Sequence, residues 1–208
     1  MQTTKALQDI MNSTFQAIKW TGSTLELLDQ RCLPHTETYL EFSDAPAVAT
    51  AIRDMVVRGA PAIGITAAYA VVLSAQQHHA VAGGNWRDLL QQDIELLAAA
   101  RPTAVNLVWA LRRMQQCLAA ADDNPVSMLL DVAKRIHEAD IDANVCMGGY
   151  GASLINKGDS VLTYCNTGSL ATGGYGTALG VVRSAWAANK LNRVFAGETR
   201  PWLQGARL

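Results

Sequence analysis

The segment GDSVLTYCNTGSLATGGYGTALGVVRSAWAANKLNRVFA, residues 158–196, decides the fold. After the turn Asn156-Lys157-Gly158-Asp159, Ser160–Tyr164 reads as a short apolar strand. A glycine-rich loop spans 166–176, an apolar helix Ala178–Lys190, and a second strand Arg193–Ala196. A strand, loop, helix and strand in that order open a parallel sheet of the Rossmann-like kind. Two parallel strands cannot cover both of their faces, and the sequence stops at Gln204-Gly205-Ala206-Arg207-Leu208 in what reads as a loop. The expectation is a truncated Rossmann-like unit at 158–208; a polypeptide that ended at Leu208 should be inactive and poorly soluble, because its sheet edge is bare.

Upstream of 158 the pattern differs. Phe15–Trp20, Leu25–Asp29 and Glu37–Phe42 are strand candidates with turn signals between them, and a small antiparallel sheet is their simplest assembly. Helices should dominate from 43 to about 157. Ser43 and Asp44 suit an N-cap, with Val48, Ile52, Met55 and Val56 at helical spacing. Gly59 should end that helix and Pro61 start the next. The helix from Pro61 to about Gln77 is apolar nearly all round and should be buried. Further helices fit 85–99, 103–121 and 125–155, the last with a break expected around Gly148-Gly149. The fold class is therefore α/β: an α+β N-terminal domain at 1–157, small sheet plus helices, followed by the parallel unit at 158–208.

Half of the 208 residues are hydrophobic, 17% are charged and the formal net charge is −1, so a sizeable core is available. The basic residues are not bunched, which argues against nucleic acid and against a membrane surface as partner. The N-terminal residues hold no apolar run of signal-peptide length, and the apolar stretch 60–75 is broken by Pro61, Gly64, Thr66 and Ser74. The four cysteines, Cys32, Cys117, Cys146 and Cys165, form no Cys-x-x-Cys pair, so neither a zinc site nor a disulfide framework is expected. These features fit a cytoplasmic protein whose partner is a small molecule or another chain.

Four loops place polar residues at element ends. Arg58-Gly59-Ala60-Pro61 stands at the start of the buried helix, where free N–H groups favour an anion; taken alone, it reads better as a helix cap. Arg101-Pro102-Thr103 repeats the design, and there ligand and cap readings both stand. Cys165, in Tyr164-Cys165-Asn166-Thr167-Gly168, follows the first parallel strand, where open α/β sheets bind ligands. Its thiol can act as base or nucleophile if nearby cations lower its pKa; the alternative is a buried structural cysteine, the reading given to the other three. Glu198–Gln204 follows the second strand and should lie beside the Cys165 loop, with Gln204 able to bond a sugar hydroxyl. Gly174-Tyr175-Gly176, with Glu198 about 20 residues on, is reminiscent of a dinucleotide fingerprint, but Leu179 stands where the third glycine or alanine belongs. No histidine pairs with a nucleophile; His78 and His79 should end their helix facing solvent or its C-terminal dipole.

The blocks VRGAPAIG (57–64), ARPTAVNL (100–107), TYCNTGSLATGGYGTALGVVRSAW (163–186) and ETRPWLQGARL (198–208) resemble methylthioribose-1-phosphate isomerases. That family is grouped with regulatory subunits of a translation-initiation exchange factor and with ribose-1,5-bisphosphate isomerases. The resemblance runs from WTGSTLELLDQR (20–31) to the last residue. It implies an aldose–ketose isomerase that converts 5-methylthioribose 1-phosphate to 5-methylthioribulose 1-phosphate in methionine salvage. It implies no metal or redox cofactor, and a homodimer in the full-length form. It makes Cys165 the catalytic cysteine and Arg58, Gly59, Ala60, Arg101 and Gln204 substrate-binding residues. The family's catalytic aspartate and an Asn-Lys pair fall beyond position 208. Gly197, where the family often has an aspartate, and Ser169 depart from the pattern.

Overall fold

The computed structural model describes residues 15–81, 85–119 and 124–208. Strands β1 (Ile18–Trp20), β2 (Leu25–Leu28) and β3 (Tyr39–Phe42) form an antiparallel sheet in that order. Leu27 sits opposite Ile18 and Leu40. Leu25 and Leu27 are fully buried while Glu26 between them is only half-buried, so one face of this sheet meets the helices.

Helix α1 (Ala45–Arg53) is capped by Asp44, whose Oδ1 accepts the Ala47 N–H at 2.7 Å. It ends at Arg53, short of the expected stop at Gly59. Met55 turns left-handed (φ 62°) and the Val56 N–H returns to the Ala51 carbonyl at 2.9 Å. That closure turns Val56 and Val57 into the core, where both are buried.

Helix α2 (Ala60–Val81) is the central element. It packs against α1, α3 (Trp86–Ala100), α4 (Val105–Ala119) and α5 (Val126–Ser153), which explains why it is apolar on every side. Its buried Ser74 donates to Asp93 at 2.6 Å, and His78 Nε2 lies 2.9 Å from the same carboxylate. His78 therefore faces an acid on α3 rather than solvent. Helix α4 begins at Val105, two residues later than expected; its expected end at 121 lies outside the described residues, as do residues 1–14. Among the described residues no helix is long and apolar enough to cross a membrane.

Strands β4 (Asp159–Thr163) and β5 (Leu191–Ala196) pair in parallel, Val161 opposite Val194 and Thr163 opposite Ala196. Helix α6 (Ala178–Ala187) connects them and lies along α5. The mixed α/β architecture is as expected. Leu162 is 72% exposed and Phe195 52%, so this sheet presents apolar side chains outward.

The break expected at Gly148-Gly149 does not occur: α5 is continuous. Gly148 and Gly151 serve packing instead. A Cβ at Gly148 would come within 2.7 Å of Ser184 Oγ and 3.0 Å of the Gly180 carbonyl; at Gly151 it would come within 2.5 Å of Val181. Gly149 faces open space. Adjacent glycines should thus respond with opposite sign. Gly148→Val should cost about 1–3 kcal/mol through overpacking, and Gly149→Ala should gain about 0.5–1 kcal/mol through helix propensity. Urea unfolding followed by circular dichroism measures both.

Candidate active site

The loop Arg58-Gly59 enters α2 with backbone that only glycine adopts readily. Gly59 has φ 102°, and a Cβ there would lie 2.3 Å from the Ala171 carbonyl oxygen. The start of α2 is therefore pressed against the short 3-10 turn Ser169–Ala171 of the glycine-rich loop. At this end the Ala60 amide is free of intrahelical bonds, as the first residue of any helix is.

Arg58 is only 6% exposed, and its Nη1 is buried without a hydrogen-bond partner. Its guanidinium carbon lies 5.0 Å from the centre of the Trp202 ring. Burial, then the like charges of Arg207 and Arg101, lower its pKa to about 10. It stays protonated at neutral pH, at a cost that an incoming anion would relieve. Among the described residues no carboxylate forms an ion pair with Arg58, Arg101 or Arg207. Arg207 donates from Nε to the Leu203 carbonyl and from Nη1 to the Gln30 carbonyl, while its Nη2 is buried and unpartnered. Burial lowers its pKa as well. Gln204 Oε1 is likewise buried without a donor. Orphaned cations and an orphaned acceptor in one region suit a ligand carrying both an anion and a hydroxyl.

Cys165 stands two residues past the end of β4. It is exposed and holds φ 75°, a left-handed conformation costly for a residue with a Cβ. The alternative of a buried structural thiol fails here, and Cys32 and Cys146 are exposed too. The Gly197 N–H bonds the Thr163 carbonyl at 2.9 Å, so the segment after β5 runs beside the Cys165 loop. Glu198 accepts the N–H groups of Thr199, Gly205 and Ala206. These bonds, Thr199's foremost, lower its pKa and fold the 198–207 loop back on itself. No hydrogen bond joins Cys165 to Arg58 or Arg101 among the described residues. What links the loops is Gly59 against Ala171, Arg58 against Trp202, and the charges of Arg101 and Arg207 acting on Arg58.

A cleft of about 290 Å³ lies nearby, lined by Leu33, Leu170, Leu179, Arg183 and Arg207 among others, but by neither Cys165 nor Arg58. The orphaned cations mark the site better than this cavity does.

Residues 56–208 match the initiation factor 2 subunit family. The chain belongs to that family. It is 56% identical over 196 residues to a methylthioribose-1-phosphate isomerase of Methylococcus capsulatus, and 55% identical over 200 residues to one of Thioalkalivibrio sulfidiphilus. These matches cover 94% and 96% of this chain but 56% and 57% of the relatives, so the chain spans little more than half their length. Two solved structures of the family superpose on it. The 5-methylthioribose 1-phosphate isomerase of Pyrococcus horikoshii does so with a TM-score of 0.86 at 35% identity, covering 94% of this chain and 56% of that one. The translation initiation factor eIF-2B subunit delta of A. fulgidus gives 0.84 at 39% identity, covering 94% and 58%.

Sequence reasoning passed over Arg207 and Trp202, although both stand in the quoted block ETRPWLQGARL. It set His137 on α5 aside with the other histidines, as unpaired with a nucleophile, and passed over Asp140 on the same helix. Asp140 Oδ2 accepts the Gly173 N–H at 2.7 Å and His137 Nε2 lies 2.9 Å from the Gly173 carbonyl, so the glycine-rich loop is clamped at both peptide groups of one residue. Burial raises the Asp140 pKa against the lowering pull of Gly173, His137 and Asn144. Its folded pKa then lies above its unfolded one, and its contribution to stability fades as pH rises through the folded value. Asp140→Asn keeps the acceptor and should remove that fade, while Asp140→Leu should cost about 1–3 kcal/mol at all pH values. Denaturation between pH 4 and 7 measures the difference.

Removal of a buried charge that lacks its ligand should not harm the fold. Arg58→Met should lose no more than about 1 kcal/mol, the order of the Trp202 contact. It should also abolish the rise in melting temperature that inorganic phosphate gives the parent chain. A thermal shift series in phosphate checks both.

Proposed function

We propose that the chain is the larger part of an aldose–ketose isomerase acting on 5-methylthioribose 1-phosphate, with 5-methylthioribulose 1-phosphate as product, in methionine salvage. The observation that carries this reading is Arg58: a buried guanidinium with an unpartnered nitrogen, lowered in pKa by burial and by two further arginines, on a loop that Gly59 presses against the glycine-rich turn following the exposed, left-handed Cys165. The names of the bacterial relatives supply the substrate.

The chemistry suits these groups. Breaking the bond between C1 and the ring oxygen needs a proton on that oxygen. Isomerisation then moves one hydrogen from C2 to C1, and the C2 hydroxyl gives up its proton, replacing the one delivered to the ring oxygen: C2 is oxidised to the ketone, C1 is reduced, and the substrate keeps its electron count. No external oxidant or reductant is required. In this reading Arg58, Arg101 and Arg207 hold the phosphate, the Ala60 amide at the start of α2 adds a donor, and Gln204 Oε1 accepts a sugar hydroxyl. Gly59 lets the arginine loop approach the glycine-rich turn. Cys165 is one member of the acid–base pair, and an aspartate beyond position 208 is the other. We also propose that residues 1–157 and 158–208 belong to two domains, that the complete protein is a cytoplasmic homodimer, and that it works without metal or redox cofactor.

The similarity to the A. fulgidus subunit supports a second reading, a regulatory subunit without catalysis. A scaffold gains nothing from unpaired buried cations, which cost desolvation, so the orphaned arginines favour the enzyme. Ribose 1,5-bisphosphate is the alternative substrate within the enzyme class.

Steady-state turnover of both sugar phosphates by the full-length protein tests these readings. Cys165→Ala should lower kcat on 5-methylthioribose 1-phosphate by about 10²–10⁴-fold, the range of acid–base catalysis, with binding changed only a few-fold. Undiminished rates remove Cys165 from the mechanism. Failure of the unmodified protein to bind either sugar phosphate favours the regulatory subunit.

A further inference from the structure

Gln30 lies just past β2 and is only 2% exposed, among the most deeply buried polar residues described. Three of its groups reach three separate parts of the candidate site. Its backbone N–H donates to the Val56 carbonyl at 3.0 Å, two residues before Arg58. Its side-chain Nε2 donates to the Leu170 carbonyl at 2.8 Å, in the 3-10 turn against which Gly59 is pressed. Its carbonyl accepts Arg207 Nη1 at 3.1 Å. Leu170 and Arg207 are 140 and 177 residues away in sequence. The backbone around Gln30 is itself pinned. Asp29 accepts the backbone N–H of Arg31 at 3.0 Å and its guanidinium at 2.9 and 2.7 Å.

A buried amide carries a desolvation cost that a methionine of similar length avoids. What the amide adds at this place is direction: a donor aimed at one carbonyl of the glycine-rich loop. We propose that Gln30 is a positioning residue that sets the Arg58 loop, the glycine-rich loop and Arg207 in a single register. This rests on reading those loops as the sugar-phosphate site. Gln30 touches no ligand in this role; it acts through Leu170 and Arg207. The glycine-rich loop is then held from two sides, by Gln30 at Leu170 and by Asp140 and His137 at Gly173.

The test uses Gln30→Met, which keeps the length and loses the donor, and Gln30→Asn, which keeps an amide one methylene too short to reach Leu170. Both leave the backbone bonds to Val56 and Arg207 available, and if one variant does not fold the other decides. Hydrogen exchange followed by mass spectrometry should show amides of residues 166–176 exchanging at least about tenfold faster, with the α2 and α4 peptides unchanged. In the full-length protein, kcat on 5-methylthioribose 1-phosphate should fall by about 10–100-fold, as for a reacting group displaced by about an ångström, with KM moving less. Exchange that rises evenly across the chain, or does not rise at all, overturns the proposal, as do unchanged kinetics with a loosened loop. If the unmodified full-length protein turns over no sugar phosphate, the functional reading fails, while the exchange result still reports on loop register by itself.

Discussion

The contact on which the site depends is the approach of Gly59 to Ala171. With a Cβ position only 2.3 Å from a backbone oxygen, no other residue fits without moving a main chain. The contact joins the first turn of the buried helix α2 to the glycine-rich loop after β4, so it joins the helical half of the molecule to its parallel strands. Everything offered to a ligand lies around that seam: Arg58 one residue before it, the 3-10 turn on its far side, and the 198–207 loop, whose Trp202 ring meets the Arg58 guanidinium. Gly148 and Gly151 do the same work further along, letting α5 and α6 lie closer than side chains would allow. The fold uses glycine less for flexibility than for approach.

Such close packing is what makes the arginines costly. A guanidinium on an open loop would keep its hydration; Arg58 loses most of it and receives an aromatic ring in return. With Arg101 and Arg207 as neighbours, it is also repelled. A dianionic phosphate placed among the three arginines would recover both terms for Arg58 at once, and in a poorly hydrated setting each interaction is stronger than in water. The cost borne by the empty site and the affinity of the filled one are two sides of the same desolvation.

Much of this was legible in the sequence. Period-2 runs located the three short strands, uniform apolarity identified α2 as the buried helix, and the glycine-rich stretch after a strand located the Cys165 loop. The failures are local. Gly59 read as a helix stop because glycine usually is one, yet α1 closes six residues earlier through the Val56–Ala51 bond. Gly148-Gly149 read as a break because periodicity carries no information about what packs alongside. Arg207 and Gln30 were invisible for a different reason. Their partners are 140 to 177 residues distant, and no local pattern predicts a buried glutamine whose value is the carbonyl it points to.

The two solved relatives sharpen the point. An isomerase and a translation-factor subunit superpose on this chain with TM-scores of 0.86 and 0.84, so the backbone does not separate the functions. The separation has to come from side chains whose placement is unfavourable unless something binds. A scaffold would be better served by leucine at Arg58 and by a cysteine relaxed out of the left-handed region at position 165. Both residues cost the folded chain something, through desolvation and backbone strain. They are gathered on or beside the loops that meet at one seam. Costs scattered over a fold have no common explanation; costs concentrated at the meeting point of a helix start and a strand end have a common one, which is a ligand.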